Sequence, residues 1–161
     1  MLTQDALRIA IQTALVCLAA YLGGFYFTHL FHGASEAIGG LWALISGVAV
    51  LQATRRDTWA SAWLQVMGTF IGAVVSTVYL SFLPFNPFSM AVVIGVVMLL
   101  CKVLGIPEHA RLASIAVAVI MVVSTLHPGL NPVLNAALRF TESCIGTALA
   151  VVAVLIWPEP D

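Results

Sequence analysis

The chain has 161 residues, 61% of them hydrophobic and only 8% charged, and its mean hydropathy is +1.07. A soluble domain carries about 25% charged residues, so this composition reads as an integral membrane protein. It leaves no length within these residues for a soluble catalytic domain beside the spans. Six Lys/Arg face seven Asp/Glu for a net charge of −1, which excludes a basic nucleic-acid-binding protein.

A membrane span needs about 20 apolar residues, and the pattern predicts six, over 6–28, 37–53, 58–82, 87–105, 112–127 and 132–157. The first begins after Asp5, read as its N-cap. The apolar run from Ala6 to Phe27 is too long for a cleaved signal and no Ala-x-Ala site follows it, so it reads as a span. The second begins after Glu36 and carries Trp42. Arg55-Arg56-Asp57 stops it and starts the third. Leu83-Pro84-Phe85-Asn86-Pro87 is a turn before the fourth, and Gly105-Ile106-Pro107 ends that span. The fifth is the shortest. His127-Pro128-Gly129 and Asn131-Pro132 form the turn before the sixth, and Pro158 and Pro160 end the chain.

Arg8, Arg55, Arg56, Lys102 and Arg111 fall at the N-terminus and in the second and fourth loops, whereas the first, third and fifth loops hold no Lys or Arg. The positive-inside rule then places both termini in the cytoplasm. Trp59, Trp63 and Trp157 mark the inner interface; Tyr26, Phe27, Phe82, Phe85 and Phe88 mark the outer one. Lys102 is near enough to a helix end to reach the surface. Arg139 and Glu142, both on the sixth span, are the charges left inside the membrane.

A shift of 74 residues lays spans one to three over spans four to six without gaps. Gln65–Gly72 then falls on Arg139–Gly146, with Ala62 on Ala136, Ile71 on Ile145 and Gly72 on Gly146. Two three-span units in tandem have opposite topology, which is the inverted-repeat plan of many transporters.

A charge inside hydrocarbon costs about 2.5–3.5 kcal/mol on insertion scales, so it faces protein or a water-filled cavity. Arg139, with Glu142 three residues on, reads either as an anion site or as a self-satisfied packing pair. Gly68 and Gly72 form a GxxxG on the third span with Thr69 between them. Gly146 and Ser143 stand on the sixth. Small residues at this spacing let helices approach closely, and a sharper reading has the crossings frame a path between the third and sixth spans. Gln65 is the neutral counterpart of Arg139.

His29, His32 and Glu36 form an outer cluster that could hold Zn²⁺ in principle. Gly33 and Ser35 argue against a regular helix there, so a solvated loop is expected and no metal is assigned. His109 and His127 are lone loop histidines. Cys17, Cys101 and Cys144 read as small packing residues without a disulfide framework. No Walker A, GxSxG or HExxH sequence is present, no nucleophile–base constellation is visible, and no carboxylate or histidine chain marks a proton relay. No cofactor and no enzymatic activity are expected.

Leu41-Trp42-Ala43-Leu44-Ile45-Ser46, followed by Val48-Ala49-Val50-Leu51-Gln52, resembles the second helix of the fusaric-acid-resistance-like family. That family includes aromatic acid exporters, and plant malate channels are distantly similar. Its Arg-x-x-Gly-Thr-x-x-Gly helix is matched by Gln65–Gly72, with Gln65 in place of the usual Arg. Arg139, Glu142 and Gly146 match a second family motif of Arg, Glu and Gly. The resemblance covers about residues 6–157. It implies a six-helix unit of the bacterial inner membrane that mediates efflux or conductance of small organic anions, often aromatic carboxylates, and acts in pairs. The soluble domain that follows the helices in longer members has no counterpart here. The expectation is therefore a homodimeric unit or one part of a multi-component pump.

The leading expectation is an organic-anion transporter or channel in which Arg139 attracts the carboxylate and Glu142, Gln65 and Thr69 shape the path. Gly68, Gly72 and Gly146 would let the helices pack around it. The rival, from another class, is a non-transporting membrane subunit that scaffolds or regulates a partner.

Overall fold

The computed structural model describes residues 4–157, and within them all regular structure is helical. The six α-helices are α1 (Gln4–His32), α2 (Glu36–Val50), α3 (Arg55–Phe82), α4 (Pro87–Val103), α5 (Ala110–Leu126) and α6 (Pro132–Ile156). Short 3₁₀ turns, Gly33–Ser35 and Pro107–His109, lead into α2 and α5. The two turns, and the starts of the helices that follow them, are offset by 74 residues. Pro158 and Pro160, expected to close the chain, lie outside the described residues.

Helix ends depart from the expected boundaries for local reasons. α1 already includes Gln4, which puts Asp5 inside its first turn rather than at its cap. It also continues through His29 to His32, beyond the expected end at residue 28. The solvated loop expected there is a helix end and a 3₁₀ turn, because Gly33 and Ser35 tighten the chain without breaking it. α2 stops at Val50 because Leu51 takes extended backbone, with ψ 116°. Thr54 then caps α3: its hydroxyl accepts from the Asp57 amide at 3.1 Å and donates to Asp57 Oδ2 at 2.8 Å. This is a threonine N-cap, and it draws Arg55, Arg56 and Asp57 into the first turn of α3 rather than leaving them in a loop.

At the end of α4, Gly105 has φ +75°. The Ile106 amide donates to the Cys101 carbonyl at 2.9 Å and the Gly105 amide to Lys102 at 3.2 Å. That pair is a Schellman cap, whose left-handed position favours glycine. α4 and α6 both begin with Asn followed by Pro at the first helical position. Asn86 Oδ1 accepts from the Phe88 amide and Asn131 Oδ1 from the Val133 amide, each at 2.8 Å.

Four stretches are long and apolar enough to cross a membrane, namely Ala6–Val50, Arg55–Phe82, Pro107–Leu126 and Pro132–Ile156, and Pro87–Val103 is a shorter apolar helix. The first is not one straight helix. It folds back at Gly33–Ser35 into an antiparallel hairpin of α1 and α2. With large apolar side chains such as Leu30, Phe82, Phe88, Val103 and Ile156 exposed, the molecule is built for a lipid solvent, and it is a multi-pass membrane protein.

Contacts divide the chain into two compact units, with the divisions after Trp63 in α3 and after Thr141 in α6. One unit holds α1, α2, the start of α3 and the later part of α6. Its apolar core joins Val16, Val50, Ala62, Ala150 and Val151. The α1–α2 hairpin closes on glycines: a Cβ on Gly24 would lie 2.5 Å from the Gly39 carbonyl oxygen, and one on Gly40 would lie 2.9 Å from the Tyr21 ring. The other unit holds the rest of α3, α4, α5 and the start of α6. Val93, Val97 and Cys101 of α4 form one core with Ala110, Ala113, Val117 and Met121 of α5. A second cluster gathers Ala73, Ile120 and Ala136.

Candidate functional site

α6 carries the polar face that matters. Asn135, Arg139, Glu142, Ser143 and Thr147 recur at helical spacing, and all are buried. Val133, Val152 and Leu155 stand exposed on the same helix. This is the reverse of a soluble helix: the polar stripe is inside and the apolar one outside, as a lipid-facing helix requires. α3 follows the same plan, with Thr58, Gln65, Thr69 and Ser76 buried.

In the first unit, Glu142 is fully buried, and the equally buried Thr28 hydroxyl donates a hydrogen bond to its Oε1. A hydroxyl donor on one carboxyl oxygen fixes the carboxyl rotamer. Gly39 makes room for the pair. A Cβ there would overlap Thr28 Oγ1 and lie 2.7 Å from Glu142 Oε1. Two turns past Gly39 on α2, Ser46 Oγ donates to Ser143 Oγ, the residue after Glu142, at 3.2 Å. Gly146 meets α2 at closest approach: an added Cβ would overlap the Ala43 carbonyl oxygen and sit 2.9 Å from the Gly47 amide nitrogen. The α2–α6 crossing is thus a stripe of small residues with the carboxylate at one end.

In the second unit, Arg139 is the largest fully buried side chain. Gln65 is 4% and Thr69 1% exposed. Asn135 Nδ2 donates to the Ile120 carbonyl at 2.9 Å and ties α6 to α5. Phe140 packs edge-on against Phe70, with centroids 5.7 Å apart. Gly68 and Gly72 face α5. A Cβ on Gly68 would lie 2.6 Å from Leu112 Cβ, and one on Gly72 2.6 Å from both the Ala113 carbonyl oxygen and Ala116 Cβ. The glycines expected to frame an approach of the third and sixth spans are therefore occupied with the fifth and second helices: Gly68 and Gly72 with α5, Gly146 with α2.

A guanidinium removed from water offers five donors and a permanent charge, and a buried glutamine and threonine offer neutral polar groups. Sequence reasoning did not single out Thr28, Asn135 or Ser76. At the outer end, His29 Nδ1 and Glu36 Oε2 are 2.5 Å apart, and His32 Nδ1 lies 2.9 Å from Ser35 Oγ. Among the described residues no group of three His, Cys, Asp or Glu could hold a metal. Cys17, Cys101 and Cys144 are free thiols, with Cys101 buried in the α4–α5 core.

The family model described as fusaric acid resistance protein-like matches residues 17–153, from the middle of α1 to the last turns of α6. The chain belongs to the fusaric acid resistance protein-like family. Comparisons with curated proteins and with solved structures returned no match. Membership points to a transporter-like membrane function rather than to an enzyme. The matched span contains every residue of both polar stripes, including Gln65, Arg139, Glu142 and Gly146.

Proposed function

We propose that the protein is a membrane transporter or channel for small organic anions, with aromatic carboxylates the class its family resemblance favours. In this reading it works as a homo-oligomer in a bacterial inner membrane. One observation carries the proposal: a fully buried arginine on an apolar helix of a transporter-like family. Placing a guanidinium at such depth costs about 2.5–3.5 kcal/mol on insertion scales. A passing carboxylate would recover part of that cost, because charge–charge attraction strengthens as the local dielectric falls. Arg139 attracts the anion. Glu142 limits how tightly it is held, so that it can leave, and Gln65 and Thr69 offer hydrogen bonds along the way. Gln65 in place of a second arginine weakens the trap, which suits conduction: a site must bind well enough to admit an ion and weakly enough to release it.

The test is anion flux in proteoliposomes holding only this protein. Arg139→Ala is expected to lower benzoate flux at least tenfold, with folding verified by thermal melting and size-exclusion profile. Arg139→Lys keeps the charge without the planar fork and should retain part of the flux. Unchanged flux in Arg139→Ala would remove Arg139 from the mechanism.

The tight fit of Thr28 and Gly39 around Glu142 favours a second reading, in which the buried charges pin packing and the chain is a non-transporting subunit. Absence of flux from folded protein, together with one stoichiometric partner on purification, would decide for it.

A further inference from the structure

We infer that the groove between α1 and α6 binds an anionic phospholipid, with one acyl chain in the groove and the phosphate at Arg8. The inference stands apart from the transport reading and requires no substrate.

The groove lies wholly within the first unit. Its walls are apolar: Leu15 and Ala19 of α1 line it with Leu149 and Val152 of α6. Beyond its deep end the two helices meet at Gly23, where an added Cβ would lie 3.0 Å from Ile145 Cγ2. Towards the start of α1 the lining gains polar groups, the Gln12 amide from α1 and the Trp157 indole from α6. Tryptophan belongs at the headgroup level of a bilayer. The wall from Gln12 to Ala19 runs about 10 Å along α1. That fits within one leaflet, whose hydrocarbon is about 15 Å deep.

Arg8 stands one helical turn before Gln12, on the same face of α1, and it is half-buried. Among the described residues, neither the Arg8 guanidinium nor the Gln12 amide has a hydrogen bond or ion pair. Both groups can donate, and a phosphodiester supplies the acceptors that the guanidinium fork matches. Arg55, held on the Val154 and Leu155 carbonyls at 3.1 and 3.5 Å, adds a second positive charge at this end of α6. Asp57 beside it is engaged by the Thr54 hydroxyl. From deep end to mouth, the groove therefore has the polarity of a phospholipid from chain to phosphate. A zwitterionic lipid carries its own cation next to the phosphate, so an anionic one gains more from Arg8. A helix of a second copy fits less well, because its backbone groups are bonded to one another and bring these donors no acceptor.

The experiment melts the purified full chain in neutral detergent with phosphatidylglycerol or phosphatidylcholine at equal molar ratio. Native mass spectrometry counts the lipid carried through. Wild type is expected to carry one phosphatidylglycerol per chain and to melt about 5 °C higher with it than with phosphatidylcholine. A ligand at roughly ten times its Kd gives a shift of that order in a chain of this length. Arg8→Gln should remove the difference, whereas Arg111→Gln, which takes a charge from the second unit, should keep it. Ala19 is exposed, so Ala19→Phe fills the groove without entering a core. It should melt normally in detergent alone and lose both the shift and the carried lipid, and it decides the matter even if Arg8→Gln folds poorly. Equal melting of wild type in the two lipids would overturn the inference. So would a shift that survives in folded Ala19→Phe or folded Arg8→Gln. An oligomer that falls to monomer in Ala19→Phe, with the lipid shift intact, would overturn it and give the groove to a second copy. None of these readouts is a flux, so failure here leaves the transport reading standing.

Discussion

Glu142 shows how a single residue is held in an apolar interior. The Thr28 hydroxyl donates to its Oε1, and Gly39 leaves the space both need. Removing a donor to a buried charged group costs about 1.5–3 kcal/mol. Thr28→Val keeps the shape and removes the hydroxyl, so it is expected to lower stability by about that amount, read as a lower melting temperature in detergent. Thr28→Ser keeps the donor and should lose much less. Equal losses would show that Thr28 contributes by packing alone. Arg139 and Glu142 were legible in the sequence because charges stand out in an apolar run. Thr28, Ser76 and Asn135 were not, for a physical reason. A hydroxyl facing lipid satisfies itself on its own helix, as Thr13 and Thr141 do on the carbonyls of Ile9 and Ala137. A hydroxyl facing the interior, such as Thr28, bonds across to another helix. Both look alike in a sequence, and only tertiary packing separates them.

At the scale of elements, glycine placement decides which helices meet. Gly146 lies against the backbone of α2, where an added methyl would overlap a carbonyl oxygen that cannot turn away. Overpacking of this kind costs about 1–3 kcal/mol. Gly95, on α4, has nothing within 4 Å of an added Cβ. There the same substitution only removes backbone freedom from the unfolded chain and should stabilise by about 0.5–1 kcal/mol. The expected outcome is therefore of opposite sign: Gly146→Ala melts lower and Gly95→Ala equal or higher. A pair that moved together would mean that the α2–α6 crossing can shift to admit a methyl. The helices themselves were legible to within a few residues wherever Pro or Asn-Pro punctuates the chain, as at Pro87 and Pro132. They were less so where side chains made the boundary. Thr54 moved the start of α3 forward by capping it, and no apolar pattern encodes that bond.

At the scale of the molecule, the question is which helices cross the membrane. α4 has 17 residues, about 26 Å at 1.5 Å per residue, against a hydrocarbon core of about 30 Å. It is short for a span, and α2 is shorter still, at 15 residues. We propose that both cross nonetheless, so that six spans form two inverted three-helix units with both termini in the cytoplasm. The shared 74-residue offset of the 3₁₀ turns and of α2 and α5 supports the repeat. So does the parallel use of Gly72 against α5 and Gly146 against α2 within the separate units. That the second loop and the end of α6 share one side has support beyond the count of basic residues. Arg55 Nε donates to the Val154 carbonyl at 3.1 Å, which ties the start of α3 to the last turn of α6. A cation on the last carbonyls of a helix is favourable there, and it puts the second loop and the end of α6 on one side. Single cysteines test this in a background where Cys17, Cys101 and Cys144 are replaced. Ala53→Cys sits in the exposed loop before α3, and Gly129→Cys sits before α6 where a side chain meets nothing within 4 Å. A membrane-impermeant maleimide added to intact cells should label Gly129→Cys and leave Ala53→Cys unlabelled until the membrane is opened. The reverse pattern would invert the orientation. Labelling of both from outside would mean that the number of crossings among α3, α4 and α5 is even, and short α4 would then be the helix that fails to cross.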